Sequence, residues 1–313
     1  MAVPCFFRAV AAPVSIVMGF CLPVLVISAG ARADHAAAGP GWAGCRAANP
    51  DERIAGCSNV IADLSKETPH GQVAAYVNRA SAYQAKGNLD AALADLGKAI
   101  GIDPKSAAAL AARAGVYQAR GEFDKAIADY DQAAAGDAPA NAQIFLGRAL
   151  AYRAKGDKDK TLADLNAALK LDAKNLPALV ARAALYHSAG DHEHAIADYT
   201  AIIRLDPKQV GALNGRGACY YARADYDRAL ADFDAALKVD ANYVAALVNR
   251  AGAWRGKKDF QRARADYERA LSIRPNLAVA RKGADDMAKI LAKKAQDGAA
   301  PSIAPPSVEH EHN

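Results

Sequence analysis

Catalytic motifs are missing from this sequence of 313 residues. It has no phosphate-binding loop of the G-x-x-x-x-G-K type and no Cys-x-x-Cys pair, and none of its few serines lies in a Gly-x-Ser-x-Gly nucleophile pattern. The residues therefore suggest neither a catalytic group nor a cofactor site, and the sequence predicts a protein that is not an enzyme.

A strong excess of charge of either sign is also missing, with 39 Lys and Arg against 34 Asp and Glu. Removing the first 33 residues, which include Arg8 and Arg32, leaves 37 basic and 34 acidic residues. Because the numbers of basic and acidic residues are nearly equal, the charge does not favour binding to nucleic acid or to a membrane surface.

Long hydrophobic runs are limited to one, Ala9 to Ile27, which follows Arg8 and precedes the small-x-small motif Ala31-Arg32-Ala33. This arrangement is typical of a secretory signal that is cleaved after Ala33, and a retained membrane anchor is the alternative. We expect a periplasmic or secreted bacterial protein without stable membrane insertion after cleavage.

Cysteine is scarce, and of five cysteines only Cys45, Cys57 and Cys219 lie beyond Ala33. In an exported protein we expect Cys45 and Cys57 to form a disulfide, with two buried free thiols as the alternative. Asn49 as an N-cap and Pro50 at the first helical position restart a helix between the two cysteines, so a hairpin can bring the sulfurs together. Cys219 is expected to be a plain buried thiol.

Internal repetition is what the sequence has in abundance, with six copies and a period of about 34 residues. The copies, within which positions are numbered from the first residue, begin at Val73, Ala107, Ala142, Leu176, Val210 and Val244. Apolar residues follow the spacing of an amphipathic helix, and a mid-repeat Gly before Asn, Asp or Glu marks a helix end and a new start. Each copy is thus predicted to be two antiparallel helices, which become stable only by stacking on further copies.

Several positions recur together in the six copies. Position 8 is small in all of them: Ala80, Ala114, Ala149, Ala183, Gly217 and Ala251. Position 11 is aromatic: Tyr83, Tyr117, Tyr152, Tyr186, Tyr220 and Trp254. Position 24 is large: Leu96, Tyr130, Leu165, Tyr199, Phe233 and Tyr267. The small residues let helix axes approach closely, and we expect the large residues at positions 11 and 24 to fill the space beside them.

This pattern resembles the tetratricopeptide repeat family over about Val73 to Pro275. The fourth copy departs from the family at position 27, where Ile202 replaces the usual alanine. The resemblance implies an all-α fold, a right-handed α-solenoid of helix-turn-helix repeats, which binds a protein or an extended peptide through its concave face.

The predicted organisation follows from these boundaries. It comprises a signal peptide (1–33), an N-terminal lead and degenerate capping repeat (34–72), six repeats (73–275), a C-terminal capping helix (276–294) and a disordered tail (295–313).

One charged pattern recurs without exception. Position 7 is always arginine: Arg79, Arg113, Arg148, Arg182, Arg216 and Arg250. Position 23 is always aspartate: Asp95, Asp129, Asp164, Asp198, Asp232 and Asp266. The equal numbers and the constant offset of 16 residues favour structural ion pairs within or between repeats. A row of arginines that grips acidic ligands is the alternative.

A second polar row lies where the family lines its concave face. Position 12 is polar or aromatic in every copy, and three first-helix asparagines add amide groups. The candidate ligand-binding residues are Asn78, Gln84, Gln118, Arg153, His187, Asn214, Tyr221, Asn249 and Arg255. The resemblance implies that they hold the backbone of an extended peptide, and an ordinary solvated stripe is the alternative. The lysine-rich carboxylate clamp of chaperone-binding relatives is absent, so an acidic C-terminal tail is not the expected ligand.

No metal site is predicted. His192 and His194 point to different faces of one helix, and His187 lies across Gly190 from them.

Together these patterns predict a non-catalytic scaffold or adaptor of the bacterial cell envelope. The alternatives are an accessory subunit of an envelope enzyme or secretion machine, and an enzyme with an unrecognised site. Nothing in the sequence indicates the oligomeric state.

Overall fold

The computed structural model describes residues 40–135 and 141–298. Within these ranges it contains fifteen α-helices, one 3-10 turn and no strand. The chain divides into two compact units, with the boundary between Val116 and Tyr117. The predicted signal peptide lies outside the described residues.

The first unit joins the capping segment to the first repeat. Its elements are α1 (Pro40–Cys45), α2 (Pro50–Ala62), a 3-10 turn (Leu64–Lys66), α3 (Pro69–Ala85), α4 (Leu89–Ile102) and the start of α5 (Ala107–Ala119). Helix α1 packs against α2, α2 against α3, and α3 against α4. The core between α3 and α4 is built by Val73, Tyr76 and Leu96, all buried.

The first helix of the first repeat starts one turn before Val73, because α3 begins at Pro69. The side chain of Thr68 caps the helix by accepting a hydrogen bond from the backbone N–H of Gly71 at 3.1 Å. Pro69 occupies the first turn, where a missing N–H costs nothing. Cap and proline together extend the helix by one turn.

The second unit stacks the remaining helices in sequence. They are α6 (Phe123–Ala135), α7 (Ala142–Ala154), α8 (Lys158–Leu171), α9 (Leu176–Ser188), α10 (His192–Leu205), α11 (Val210–Ala222), α12 (Tyr226–Val239), α13 (Val244–Gly256), α14 (Phe260–Ile273) and α15 (Ala278–Gly298). Each repeat pairs its two helices, as α9 does with α10, and each pair packs against the next, as α10 does against α11. The first helices of neighbouring repeats also touch, α9 with α11 and α11 with α13. The predicted all-α class of stacked helix pairs is confirmed.

The turn between the two helices of a repeat needs a left-handed residue at position 15. Glycine supplies it four times, with φ between 75° and 80°, whereas Ala224 and Lys258 adopt φ of 58° and 64° at the equivalent places. In five repeats the side chain of the next residue caps the second helix; for example, Asp191 accepts from the backbone N–H of His194 at 3.2 Å. The left-handed residue and the N-cap together determine where the first helix of a repeat ends and the second begins.

Position 24 and the small positions build the core, but position 11 does not lie deep in it. Tyr220 and Trp254 are only half-buried, and a cation from position 19 of the same repeat covers each ring. The guanidinium carbon of Arg228 lies 4.7 Å from the ring centroid of Tyr220, and that of Arg262 lies 3.7 Å from Trp254. The rings at position 11 therefore pack against the core from the edge of the helix pair, half-buried under a basic side chain, and fill the space there less deeply than the residues at position 24.

The last described helix, α15, ends at Gly298, four residues beyond the predicted end at 294. Ala295 and Gln296 favour the helical state, so the described helix runs past residue 294. Residues 299–313 of the predicted tail lie outside the described residues. In the described ranges, no helix combines the length with the continuous apolar character that a membrane span requires.

Candidate functional site

The position-7 arginines are tied to the position-23 aspartates of their own repeats. The guanidinium of Arg182 donates from Nε to Asp198 Oδ2 at 2.8 Å and from Nη2 to Asp198 Oδ1 at 2.7 Å. The same bidentate contact joins four further pairs: Arg79–Asp95, Arg148–Asp164, Arg216–Asp232 and Arg250–Asp266. Arg113 belongs to the first unit and Asp129 to the second, so five of the six pairs lie within one unit.

These arginines also reach the preceding repeat. Nη1 of Arg182 donates to Asn166 Oδ1 at 2.7 Å, and Nη1 of Arg250 donates to Asp234 Oδ1 at 2.6 Å. Each partner occupies position 25 of the copy before. The carboxylates of position 23 are buried, with 3% to 6% of their surface exposed. The five arginines therefore join helices within and between repeats and leave little capacity for a ligand.

Cys45 and Cys57 form a disulfide between α1 and α2, with their Cα atoms 4.3 Å apart. Both are fully buried and pack with Trp42. The two helices meet backbone to backbone, since a Cβ on Gly56 would lie 2.2 Å from the carbonyl carbon of Gly44. Glycine is thus required where the bridge draws the helices together.

We call the position-12 residues of the second unit, together with Asn214 and Asn249, the first-helix face. Its position-12 members are Gln118, Arg153, His187, Tyr221 and Arg255. All stand on first helices, and the contacts of α11 with α9 and α13 place the first helices of the last three repeats on one side of the stack.

Arg153 and Arg255 are the unpaired cations of this face. Both are exposed, and neither forms an ion pair or hydrogen bond with any residue that the structure describes. The guanidinium of Arg153 is nevertheless partly desolvated by the protein around it, which lowers its pKa. A cation held in this way gains by meeting a carboxylate or carbonyl oxygen from outside.

Tyr221 lies between the two arginines along the chain and is half-buried. Its ring centroid is 5.9 Å from that of Tyr226, and it lies over Gly252 of the next repeat, where a Cβ would be 3.5 Å from the phenol oxygen. Among the described residues its hydroxyl has no hydrogen-bond partner. An aromatic ring fixed by packing, with a free hydroxyl, is suited to binding.

The amides of the face are less available than the sequence suggested. Gln118 donates to the carbonyl of Gly147 at 3.1 Å and accepts from the Tyr130 hydroxyl at 2.7 Å, so its amide is used within the fold. Asn249 donates to Asn214 Oδ1 at 3.0 Å. Each of these asparagines keeps polar atoms without a described partner, whereas Gln118 serves mainly to hold two repeats together.

Two predicted ligand-binding residues belong to the first unit. Asn78 is half-buried and approaches Cys45, with Nδ2 4.0 Å from the sulfur. Gln84 is half-buried too, and its Nε2 would be 4.0 Å from a Cβ on Gly115.

His187 does not point freely toward a ligand, because it meets residues from two other helices. Its Nδ1 lies 3.1 Å from Cys219 Sγ, and its ring centroid is 5.6 Å from that of His192. One ligand atom from each of His187, His192 and Cys219 lies within 4.8 Å of the others. The prediction of no metal site compared only the histidines with one another, and the fold adds Cys219 of α11 to His187 of α9 and His192 of α10.

Cys219 does not have the character of a nucleophile. It is fully buried, and burial raises the pKa of its thiol to about 12. Burial, and secondarily the nearby His192, lowers the pKa of His187. A neutral thiol therefore faces a neutral imidazole and can donate to Nδ1.

Known protein families and solved structures both show a similarity to tetratricopeptide repeat proteins. Models of the tetratricopeptide repeat family match residues 73–106, 111–175, 146–210 and 220–278. A search of curated proteins gave no match.

Three solved structures show the fold. The protein is similar to PilF of Pseudomonas aeruginosa (TM-score 0.59, 20% identity, 68% of this chain and 97% of that one). It is similar to YrrB, described as a TPR protein with an unusual peptide-binding site (TM-score 0.51, 20% identity, 61% of this chain and 95% of that one). It is also similar to the Cut9–Hcn1 hetero-tetramer of the APC/C (0.54, 18%), covering 76% of this chain but spanning only 48% of the matched chain.

Proposed function

Because the chain belongs to the tetratricopeptide repeat family, we propose that it is a non-catalytic scaffold that binds a protein or an extended peptide along the first-helix face. One contrast carries the proposal. Five position-7 arginines are bound within the fold, whereas Arg153 and Arg255 are exposed and form no ion pair or hydrogen bond with a described residue. Arginine and tyrosine, which Tyr221 adds to the same row, are among the residue types that most often dominate binding energy.

The ligand that suits this face is an extended segment with oxygen acceptors. Arg153 and Arg255 can each take a carboxylate or a backbone carbonyl, and Tyr221 offers a ring face and a hydroxyl. Asn249 is half-buried and keeps an amide oxygen that can bond a peptide backbone, whereas its partner Asn214 is buried. Two proteins of similar fold support peptide or protein binding. YrrB is described by a peptide-binding site, and Cut9–Hcn1 is described as a hetero-tetramer.

We further propose that the protein works in the bacterial cell envelope, as an adaptor. The predicted signal peptide (1–33) and the disulfide between Cys45 and Cys57 support this location, because disulfides persist in oxidising compartments. Cell fractionation followed by N-terminal sequencing tests it: we expect an envelope protein that begins at Asp34. Recovery in the cytosol with Met1 intact would contradict the proposed location.

The binding proposal is tested with peptides selected from a random phage-displayed library on the purified chain. The affinity of a selected peptide is measured by calorimetry for the wild type and for the double variant Arg153→Ala and Tyr221→Ala. Hot-spot residues cost about 2 kcal/mol or more when truncated, so we expect a loss of roughly 30-fold or greater.

Arg204→Ala is the matched control, because Arg204 is an exposed arginine on the second helix of a repeat and has no described partner. We expect it to leave the peptide affinity within about twofold, as do most surface changes remote from a binding site. Equal affinity of the double variant and the wild type would place the binding site elsewhere on the molecule.

A further inference from the structure

Three metal-ligand side chains converge where the fourth repeat meets the fifth. His187 ends α9, His192 begins α10, and Cys219 lies in α11. One nitrogen from each histidine and the sulfur lie within 4.8 Å of one another, and Nδ1 of His187 is 3.1 Å from the sulfur. Imidazole and thiol side chains are the preferred ligands of zinc(II).

The other repeats show that packing does not require these residue types. Position 10, where Cys219 stands, is otherwise apolar: Ala82, Val116, Ala151, Leu185 and Ala253. Position 17, where His192 stands, is otherwise mostly apolar or aromatic: Leu89, Phe123, Lys158, Tyr226 and Phe260. The fold therefore accepts ordinary side chains at both places, and nitrogen and sulfur ligands replace them together at this one junction.

His192 carries an unexplained polar atom. Its Nδ1 is buried and has no hydrogen-bond partner among the described residues. Leaving such a group unsatisfied destabilises the folded state, and a buried polar atom without a partner calls for an explanation, of which a bound ion is one. This atom is independent of the contact between His187 and Cys219, so it is a second observation pointing to a ligand.

We propose that His187, His192 and Cys219 bind one zinc(II) ion, with water in the fourth position. Zinc bonds of about 2.0–2.1 Å to nitrogen and 2.3 Å to sulfur place tetrahedral ligand atoms roughly 3.3–3.6 Å apart. The histidine–cysteine contact at 3.1 Å is already close to this spacing, and rotation of the two imidazole rings brings in the third ligand. Binding replaces the S–H bond with a zinc–thiolate bond and releases one proton to solvent.

The site would join three helices of two repeats. Helix α9 and helix α10 belong to the fourth repeat and α11 to the fifth, so one ion crosslinks the interface between them. In a stacked array the stability of each interface contributes to that of its neighbours. Zinc would therefore stabilise the middle of the second unit and fix His187 on the first-helix face.

The test uses the purified full chain with its disulfide intact, titrated with zinc(II) against a chromophoric chelator and, separately, with cobalt(II). We expect one zinc(II) per chain, a higher melting temperature with zinc(II), and a cobalt–thiolate charge-transfer band in the near ultraviolet. Absence of that band, or no zinc(II) binding stronger than that of the chelator, would overturn the proposal.

The repeats themselves supply substitutions that the fold accepts. Cys219→Ala copies three other repeats at position 10, and His187→Gln copies two others at position 12. Cys219→Ala should abolish the thiolate band, and each variant should weaken zinc(II) binding at least tenfold while circular dichroism shows unchanged helix content. If one variant does not fold, the other decides the question.

Two control variants separate this site from other histidines. His194→Ala changes an exposed residue that bonds Asp191, and the double change His310→Ala and His312→Ala removes histidines of the C-terminal segment. Both controls should retain the cobalt–thiolate band and wild-type zinc(II) affinity at the first equivalent. Full zinc(II) affinity in Cys219→Ala, with loss of binding in the double change, would assign the metal to the C-terminal segment and overturn the proposal.

Discussion

Removing one arginine of the position-7 row should cost far more stability than its place near the surface suggests. Arg182 has 23% of its side chain exposed, but its partner Asp198 has only 7%. Arg182→Ala removes two hydrogen bonds to Asp198 and one to Asn166, and leaves a buried carboxylate without its cation. Breaking a buried pair costs about 3–5 kcal/mol, and because water can enter where Arg182 stood, we expect about 3 kcal/mol.

Substitution of the partner aspartate should lower the free energy of unfolding by a smaller amount. Asp198→Ala leaves an arginine that still bonds Asn166 and reaches water, so we expect roughly 1–2 kcal/mol. The double variant should be less destabilised than the sum of the two, because the second change removes a group that the first has already left unpaired. Arg204→Ala, in the same repeat, should stay within about 0.5 kcal/mol.

The assay is urea unfolding followed by helical circular dichroism, with the four variants compared at equal m-values. Peptide affinity measured on folded Arg182→Ala should match that of the wild type. The account of this row as structural would be refuted if Arg182→Ala were no more destabilising than Arg204→Ala, or if it abolished peptide binding while stability stayed unchanged.

Three further predictions follow from single contacts. Peptide mapping without reduction should find Cys45 linked to Cys57, and reduction should destabilise the protein by about 3 kcal/mol, whereas recovery of two free thiols would exclude the bridge. Ala224→Gly should raise the unfolding midpoint, because φ of 58° costs a non-glycine residue roughly 1 kcal/mol, and a lowered midpoint would contradict this reasoning. Gly147→Ala should destabilise by about 1–3 kcal/mol, since its Cβ would lie 2.5 Å from the Tyr130 ring, and a neutral effect would show that this ring can shift without cost.

The features that sequence could supply are those that repeat. The fixed offset between Arg182 and Asp198 already indicated a pair, since both residues recur in every copy. The restart of a helix at Pro50 was readable from local capping chemistry, and the structure shows Asn49 accepting hydrogen bonds from the backbone N–H groups of Asp51 and Glu52.

The sequence could not predict the contacts between side chains of different helices. Gln118 looked like a free amide, but its orientation toward Tyr130 and Gly147 uses both of its polar atoms. His187 and Cys219 are 32 residues apart and meet because a repeat brings neighbouring first helices together. Comparison of the copies at positions 10 and 17 would have singled out this junction, since only there do ligand types replace ordinary ones at both positions.

Photo-crosslinking from the first-helix face tests the central claim most directly. A photoreactive phenylalanine analogue replaces Tyr221 in one form of the full chain and Arg204 in another, and both are irradiated with a library-selected peptide and in cells that produce the protein. We expect adducts from position 221, mapped by mass spectrometry to one segment of a partner, and none from position 204. Adducts from position 204 alone would contradict binding along the first-helix face.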